Sequence, residues 1–416
     1  MLVMRAYRHK LLFTPEQEEQ AARFAGCARL IYNYGLEQRI MGYEIYKRGI
    51  SYTKHTDYLP EAKQAEGFEF LQEAPSHVLQ QSLRNLDVAF QRFFQGHAAY
   101  PTFKKRGRGD SFRFPDPDPK QIGVHHPDRQ GQVRLPKLGW VKVKNCYPRL
   151  GTDLFEGSLK FITVVREHDG WYASFTCQVE MPDPVQPDGT PIGLDLGVVN
   201  SVATSEGKLI SLPTATERDQ EKLTVLQRRV SSKELGSRNR AKAQRQLNLF
   251  RQGIRSRQKD AQHKLSAHLA KAHSHIMIED LNIKQMTKAD GKSKKNLNRG
   301  ILGQSWGELI RQLSYKTEWY GSQLVKVNPA YTSQTCSECG HCSGENRENQ
   351  ADFSCGSCGH TEHADLNAAK NILLIGTDGT SALPNGDNAW EVVALEQSCS
   401  PGRPNREVKL GAKALP

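Results

Sequence analysis

Apolar positions in the first hundred residues recur at helical spacing. Phe24, Cys27 with Ala28, Ile31 and Tyr34 make one stripe, and Leu79, Leu83, Leu86 and Phe90 make another. Thr14-Pro15-Glu16-Gln17 supplies a helix start: Thr14 is the cap, Pro15 suits the first helical position, and Gln17 completes a capping box. The stripes read as the packed faces of a helical region over 14–98. The period then changes. QVRLPKLGWVKVK (132–144) alternates, and LKFITVVREHDGWYASFTCQVE (159–180) reads as two strands around an Asp169-Gly170 turn, giving a β-rich module, a small barrel. MPDPVQPDGTP (181–191) reads as a linker. From Ile192 the pattern is α/β. IGLDLGVVNSVATSEGKLISL predicts a meander of three short strands, followed by a long basic helical stretch to about His275. HIMIEDL (275–281) predicts a buried strand, SWGELIRQLSYKTEWYG (305–321) a helix, QLVKVNP (323–329) a strand and ADLNAAKNILLIG (364–376) a helix. That order predicts one mixed sheet with helices on its faces. Residues 377–416 carry Gly, Pro, Ser and scattered charge with little periodicity, which predicts a disordered tail.

Charge narrows the partners. The chain of 416 residues has 57 Lys and Arg against 45 Asp and Glu, a formal net charge of +12. Such an excess favours a polyanion, nucleic acid before a membrane surface. No run of eighteen apolar residues is present, and MLVMRAYRHKLLF lacks a secretory h-region with a cleavage site, so a cytoplasmic protein with no membrane partner is expected. Of nine cysteines, Cys27, Cys146, Cys177 and Cys399 are scattered, while Cys336, Cys339, Cys342, Cys355 and Cys358 cluster. Clustering points to a metal site in a reducing compartment rather than a disulfide scaffold.

Within the cluster, Cys336-Ser-Glu-Cys339-Gly340 and Cys355-Gly-Ser-Cys358-Gly359 are two C-x-x-C-G knuckles, with fifteen residues between Cys339 and Cys355. The glycine after each pair allows the tight turn that aims both sulfurs at one ion. Four thiolates suit a closed, structural, tetrahedral Zn²⁺ site. No glycine follows Cys342 in this way, and it is placed outside the ligand set.

Three carboxylates stand in or at the ends of buried-looking elements. Asp195 lies between Leu194 and Leu196 with glycines at 193 and 197, Glu279 ends the apolar strand, and Asp365 opens the last helix. An acid amid a strand core is costly unless paired or bound to a cation. Brought together, three acids repel unless divalent ions neutralise them. Oxygen ligands suit Mg²⁺ or Mn²⁺, and two ions about 4 Å apart can activate water and stabilise the leaving oxygen of a phosphodiester. Taken singly, Asp365 could be a helix cap, and Glu279-Asp280 a solvated strand end.

Two basic stretches suit phosphate. In AYPTFKKRGRGDSFRFP (99–115), Tyr100, Phe103, Phe112 and Phe114 flank Lys104, Lys105, Arg106, Arg108 and Arg113, so rings could stack on bases while cations meet phosphates. The helical stretch 228–259 has eleven Lys or Arg, among them Arg228, Arg229, Arg238, Arg240, Lys242, Arg245, Arg251 and Arg255, against one acid, Glu234. Leu223, Leu226, Val230, Leu247, Phe250 and Ile254 give one buried stripe and leave the other faces cationic.

IGLDLGVVNSVAT, HIMIEDLNI, NPAYTSQTCSECG and CGSCGHTEHADLNAAKNIL, in that order, resemble the TnpB family of transposon-encoded RNA-guided DNA endonucleases, relatives of the type V CRISPR effector nucleases. FTPEQEEQAARFAGCARLIYNYGL resembles that family's opening helices, and the resemblance spans about residues 5 to 375. It implies a multidomain α+β chain: a RuvC-like α/β nuclease domain of RNase H fold with an inserted zinc ribbon, a helical recognition lobe and a β-barrel wedge. The expected layout is wedge at 1–13 and 99–185, recognition lobe at 14–98, nuclease domain at 190–330, ribbon at 331–362, and last nuclease helix at 363–376. Asp195, Glu279 and Asp365 match the catalytic acids, each a ligand to magnesium. Many relatives carry another acid where this chain has His363. The implied partners are a guide RNA from the transposon end and double-stranded target DNA beside a short adjacent motif, with one protein per guide.

Three other readings compete. An actin-like ATPase also uses Asp-x-Gly at a phosphate, but no second Asp-Gly phosphate loop follows and the knuckles stay unexplained. A non-catalytic zinc protein would bind nucleic acid without cutting it. A transposase proper would join strands.

Overall fold

The computed structural model describes residues 1–115, 131–144, 156–288, 295–347, 349 and 351–380. Two compact units divide the chain, Met1–Pro182 and Asp183–Pro416.

The first unit begins with β1 (Leu2–Leu12), then α1 (Pro15–Tyr46), α2 (Tyr52–Asp57), α3 (Leu59–Ala62) and α4 (Ser76–Phe94). Five strands follow: β2 (Ser111–Pro115), β3 (Gln132–Leu135), β4 (Gly139–Val143), β5 (Ser158–Glu167) and β6 (Gly170–Glu180). The strands form one antiparallel sheet ordered β2-β5-β6-β1-β4-β3. No pairing of β2 with β3, which would close the expected barrel, occurs among the described residues. Alternation gives the sheet its core side, where Val133, Val141, Ile162, Val164, Trp171 and Phe175 are buried. The Thr14 capping box forms as the sequence predicts, with Gln17 N–H donating to Thr14 Oγ1 and Thr14 N–H to Gln17 Oε1. Tyr32 and Leu36 of α1 pack on Leu86 and Phe90 of α4, and the Phe24 ring meets Phe112 at 5.7 Å, joining helix to sheet.

That contact corrects one expectation. Phe112 and Phe114 lie in β2 with their rings in the core, because strand alternation turns both to the packed face. They are not free to stack on bases. Tyr100 packs edge-on against Phe90 and Phe93.

The second unit opens with the meander β7 (Ile192–Asp195), β8 (Val202–Thr204) and β9 (Leu209–Ile210). The helices α5 (Glu217–Ser231) and α6 (Arg238–Ala272) lead to β10 (His275–Glu279). Next come α7 (Ile283–Met286), α8 (Lys295–Gln304), α9 (Trp306–Tyr320) and β11 (Gln323–Val327). The chain ends its described course with the small hairpin β12 (Asp352–Ser354) and β13 (Thr361–His363), then α10 (Ala364–Thr380). The main sheet has the order β11-β10-β7-β8-β9, with β10 parallel to both β7 and β11. Its central strands are apolar on both faces, as expected of strands covered by helices on each side. Ile192, Leu194, Ile276 and Ile278 pack with Leu269 of α6 and with Leu309 and Leu313 of α9. On the other face, Met277 and Val327 meet Ile372 and Ile375 of α10.

The basic stretch 228–259 is two helices, not one. The chain breaks between Ser231 and Arg238, where Gly236 has φ +84°. Val230, Ala243 and Leu247 then pack between α5 and α6, so the apolar stripe seals a hairpin. The tail expected from residue 377 is helix as far as Thr380, and the rest of it lies outside the described residues.

Gly193 explains one of the two glycines around Asp195. A Cβ there would stand 2.1 Å from the Ala369 carbonyl oxygen and 2.7 Å from the Leu373 nitrogen, so β7 and α10 meet backbone to backbone. Because backbone cannot swing aside as a side chain can, Gly193→Ala should destabilise the protein by roughly 1–3 kcal/mol. A urea unfolding curve with an unchanged midpoint would contradict this packing.

Candidate active site and metal centre

The knuckles converge. Cys336 Sγ lies 3.7 Å from Cys358 Sγ and Cys339 Sγ 3.6 Å from Cys355 Sγ, and all four sulfurs lie within 4.8 Å of one another. A tetrahedron of Zn–S bonds of about 2.3 Å places its sulfurs about 3.8 Å apart, so the donor set fits zinc. Each knuckle repeats the same bonds: Gly340 N–H donates to Cys336 O, and Gly359 N–H to Cys355 O. Both glycines have left-handed φ, +73° and +75°, which is why glycine follows each pair. Phe353 packs with Cys336, Cys355 and Ala364 beneath the site. Cys342 lies outside the four-sulfur group.

The three acids come from distant elements. Asp195 ends β7, Glu279 ends the neighbouring parallel strand β10, and Asp365 sits in the first turn of α10. Parallel pairing brings the first two to the same end of the sheet. Asp280, next to Glu279, instead pairs with Lys326 at 3.0 Å, so only Glu279 belongs to the set. The carboxylates are not drawn as close as the sulfurs, which form the one group of three or more His, Cys, Asp or Glu ligands within 4.8 Å among the described residues.

They nevertheless act on one another. Burial, then the charges of Glu279 and Asp365, push the Asp195 carboxyl up to about 7. Burial also raises Glu279, against the pull of a hydrogen bond from Thr332 and the Arg347 charge. Asp365 has two partners: Arg347 Nη2 at 3.6 Å from Oδ1 and Asn200 Nδ2 donating to Oδ2 at 3.4 Å. Gly197 serves this turn, since a Cβ there would stand 2.4 Å from Asn200 O. The donor set suits a hard divalent cation: three partly buried carboxylates whose mutual repulsion is relieved by a bound cation or, without one, by protonation.

Asp365 is not its helix's cap. Its own N–H is among the unpaired donors of the first turn and is taken by His363 Nδ1 at 3.2 Å. His363 therefore satisfies the helix start. Arg347 and Thr332 were not singled out by sequence reading. Both belong to the ribbon or its stem, and no spacing rule links them to acids on β10 and α10. For Thr332 alone there was a signal, a polar residue within the motif NPAYTSQTCSECG.

Among the basic candidates, Arg228, Arg229, Arg238, Lys242, Arg245 and Arg255 are exposed on the α5–α6 hairpin, while Arg240 and Arg251 are half-buried. Arg240 donates to Lys233 O at 2.8 Å. In the first unit Lys105, Arg106 and Arg108 are exposed, and Lys104 Nζ sits 3.9 Å over the Tyr32 ring.

Comparison with known proteins decides the family. The chain is 37% identical over 383 residues to "Putative RNA-guided DNA endonuclease InsQ" of Escherichia coli (strain K12), covering 90% of this chain and 92% of that protein. The chain belongs to the TnpB family of RNA-guided DNA endonucleases. A Streptomyces pristinaespiralis relative described in the same words, without the InsQ, is 34% identical over 90% of each chain. Family models match residues 306–372 ("Cas12f1-like, TNB domain"), 174–290 ("Probable transposase") and 1–48 ("Helix-turn-helix domain"). The last stretch is here a strand and one long helix. Among solved structures, "Cryo-EM structure of the Cas12f1-sgRNA-target DNA complex" shares the fold, with TM-score 0.54 and 16% identity over 87% of this chain and 83% of that one.

Asp195 makes the site's electrostatics testable. Its folded pKa is raised above 3.8, so without a cation this group makes stability fall as pH rises from about 4 through about 7. In zinc-loaded protein free of other divalent cations at pH 8, Asp195→Asn should raise Tm by at least about 3 °C, and the gain should shrink at pH 5. A gain that is equal at both pH values, or absent, would contradict the raised pKa that burial, and after it the neighbouring acids, give Asp195.

Proposed function

We propose that the protein is an RNA-guided endonuclease of a transposable element, which hydrolyses phosphodiester bonds of double-stranded DNA at sites that pair with its guide. The observation that carries this is the convergence of Asp195, Glu279 and Asp365 at one end of the sheet, with the charge of Arg347 pulling against their repulsion. Asp195, Glu279 and Asp365 would hold two Mg²⁺, with Mn²⁺ able to substitute. Bound there, the ions would supply an activated water and stabilise charge on the leaving oxygen. The chain's own part is to orient the three acids: Asn200 on Asp365, Thr332 on Glu279, and the sheet's parallel register for Asp195 and Glu279.

Guide pairing would choose the target while the protein reads geometry and a short adjacent motif. The guide RNA would come from the transposon end, with one protein per guide. In this layout the first unit's helices form the recognition lobe and its sheet the wedge. The exposed cations of the α5–α6 hairpin and Lys104, Lys105, Arg106 and Arg108 would meet phosphates of the guide or heteroduplex. The cysteine site would hold one structural Zn²⁺.

Asp195→Ala should abolish cleavage of a supercoiled plasmid by the guide-loaded protein while leaving guide-dependent DNA binding intact. Cleavage at the wild-type rate would overturn the assignment, and strand-joined products from the wild type would favour a transposase. Reversing Arg228, Arg238, Lys242 and Arg255 to Glu should weaken guide binding and flatten its dependence on salt, by a slope of roughly 0.7–0.9 for each phosphate no longer neutralised. An unchanged salt slope would remove the hairpin from the RNA interface.

A further inference from the structure

The stem of the ribbon, residues 329–337, joins β11 to the first knuckle, and its contacts run to two of the acids' supports. Thr332 is 3% exposed, and its hydroxyl lies 2.5 Å from Glu279 Oε1 and 3.2 Å from Pro329 O. A hydroxyl has one proton, and the shorter contact to a carboxylate oxygen takes it. The Thr332 carbonyl in turn accepts from Asn371 Nδ2 at 2.9 Å, and the same amide reaches Thr335 O at 2.6 Å. One helical turn earlier, Asn367 donates to Thr335 O at 2.8 Å and accepts from Ser337 N–H at 2.9 Å. Asn367 and Asn371 are 0% and 5% exposed, an unusual depth for two amides unless each is satisfied. Both lie on α10, the helix that carries Asp365.

Glu279 and Asp365 thus belong to elements that otherwise meet through apolar contact, Met277 against Ile372 and Ile375. Apolar contact is non-directional and does not fix a carboxylate's rotation. A hydrogen bond does. We propose that Thr332 is a positioning residue for the cation site: with Asn371 it forms a strut that fixes the Glu279 carboxylate relative to α10, and so to Asp365. This rests on the reading of the triad as a divalent-cation site. The spacing of the second and third acids is then set by the ribbon's stem as well as by the sheet.

The strut is tested by direct binding of Mn²⁺ to the full-length, zinc-loaded protein, followed by the electron paramagnetic resonance of free Mn²⁺. Wild type, Asp195→Ala, Thr332→Val and Thr332→Ser are compared, with zinc content and Tm measured on each. Valine keeps the shape and removes the donor, while serine keeps the donor. Thr332→Val should bind Mn²⁺ roughly 10–100-fold more weakly, as removal of an outer partner of a metal ligand typically does. Thr332→Ser should stay near wild type, and zinc content should not change. Wild-type affinity in Thr332→Val would overturn the strut, as would equal weakening in Val and Ser, which would indicate packing alone. Should Thr332→Val fail to fold, Thr332→Ala against Thr332→Ser carries the same comparison. If the wild type shows no Mn²⁺ binding that Asp195→Ala removes, it is the cation-site reading that fails, and the strut with it.

Discussion

Three partly buried carboxylates held near one another cannot all stay ionised without positive charge, and much of the second unit is arranged around that constraint. Burial first, and then the charges of Glu279 and Asp365, raise the pKa of Asp195. Around it, Gly193 lets α10 approach β7 closely enough to bring Asp365 to the strand end, and Gly197 makes room for the turn that places Asn200 on Asp365. Arg347 reaches in from the ribbon with one positive charge, 3.6 Å from Asp365. An arginine beside an acid set lowers the repulsion but cannot bring oxygen ligands to a reacting phosphate. Divalent ions can do both.

The zinc ribbon takes on a second meaning in this light. Its sulfurs are matched to a tetrahedral ion, which would close a small lobe between β11 and α10. Yet the lobe's stem is stitched to α10 by Asn367 and Asn371 and to Glu279 by Thr332, while Arg347 leaves its body for Asp365. The nearness of Cys358 and Asp365 in sequence therefore corresponds to nearness in function. On the proposed reading, zinc at the cysteines would stiffen the support on which the three acids stand.

Much of this was legible in the sequence because buried acids and paired knuckles violate ordinary patterning. An aspartate between leucines, or a glutamate ending an apolar strand, has few explanations in a soluble core, and C-x-x-C-G twice has fewer. The Thr14 capping box and the strands at 192–195 and 275–279 are equally local signals. What stayed hidden depends on contacts between distant segments. Phe112 and Phe114 looked free for stacking until β2 paired with β5 and turned them inward. The break in the basic stretch hung on Gly236, one residue in a helix-rich composition. Asp365, which taken singly could be a cap, lies within the first turn of its helix and gives its N–H to His363. Arg347 carries no local mark and Thr332 only its place in the motif NPAYTSQTCSECG, since a threonine or an arginine in a loop is unremarkable until its partner is known.

Anomalous diffraction from crystals of the protein grown with Mn²⁺, with data at the manganese and zinc edges, addresses the central claim most directly. The account predicts a zinc peak among Cys336, Cys339, Cys355 and Cys358, and separate manganese density bounded by Asp195, Glu279 and Asp365. A zinc peak with no manganese at the three acids, at saturating Mn²⁺ and pH 8, would contradict it.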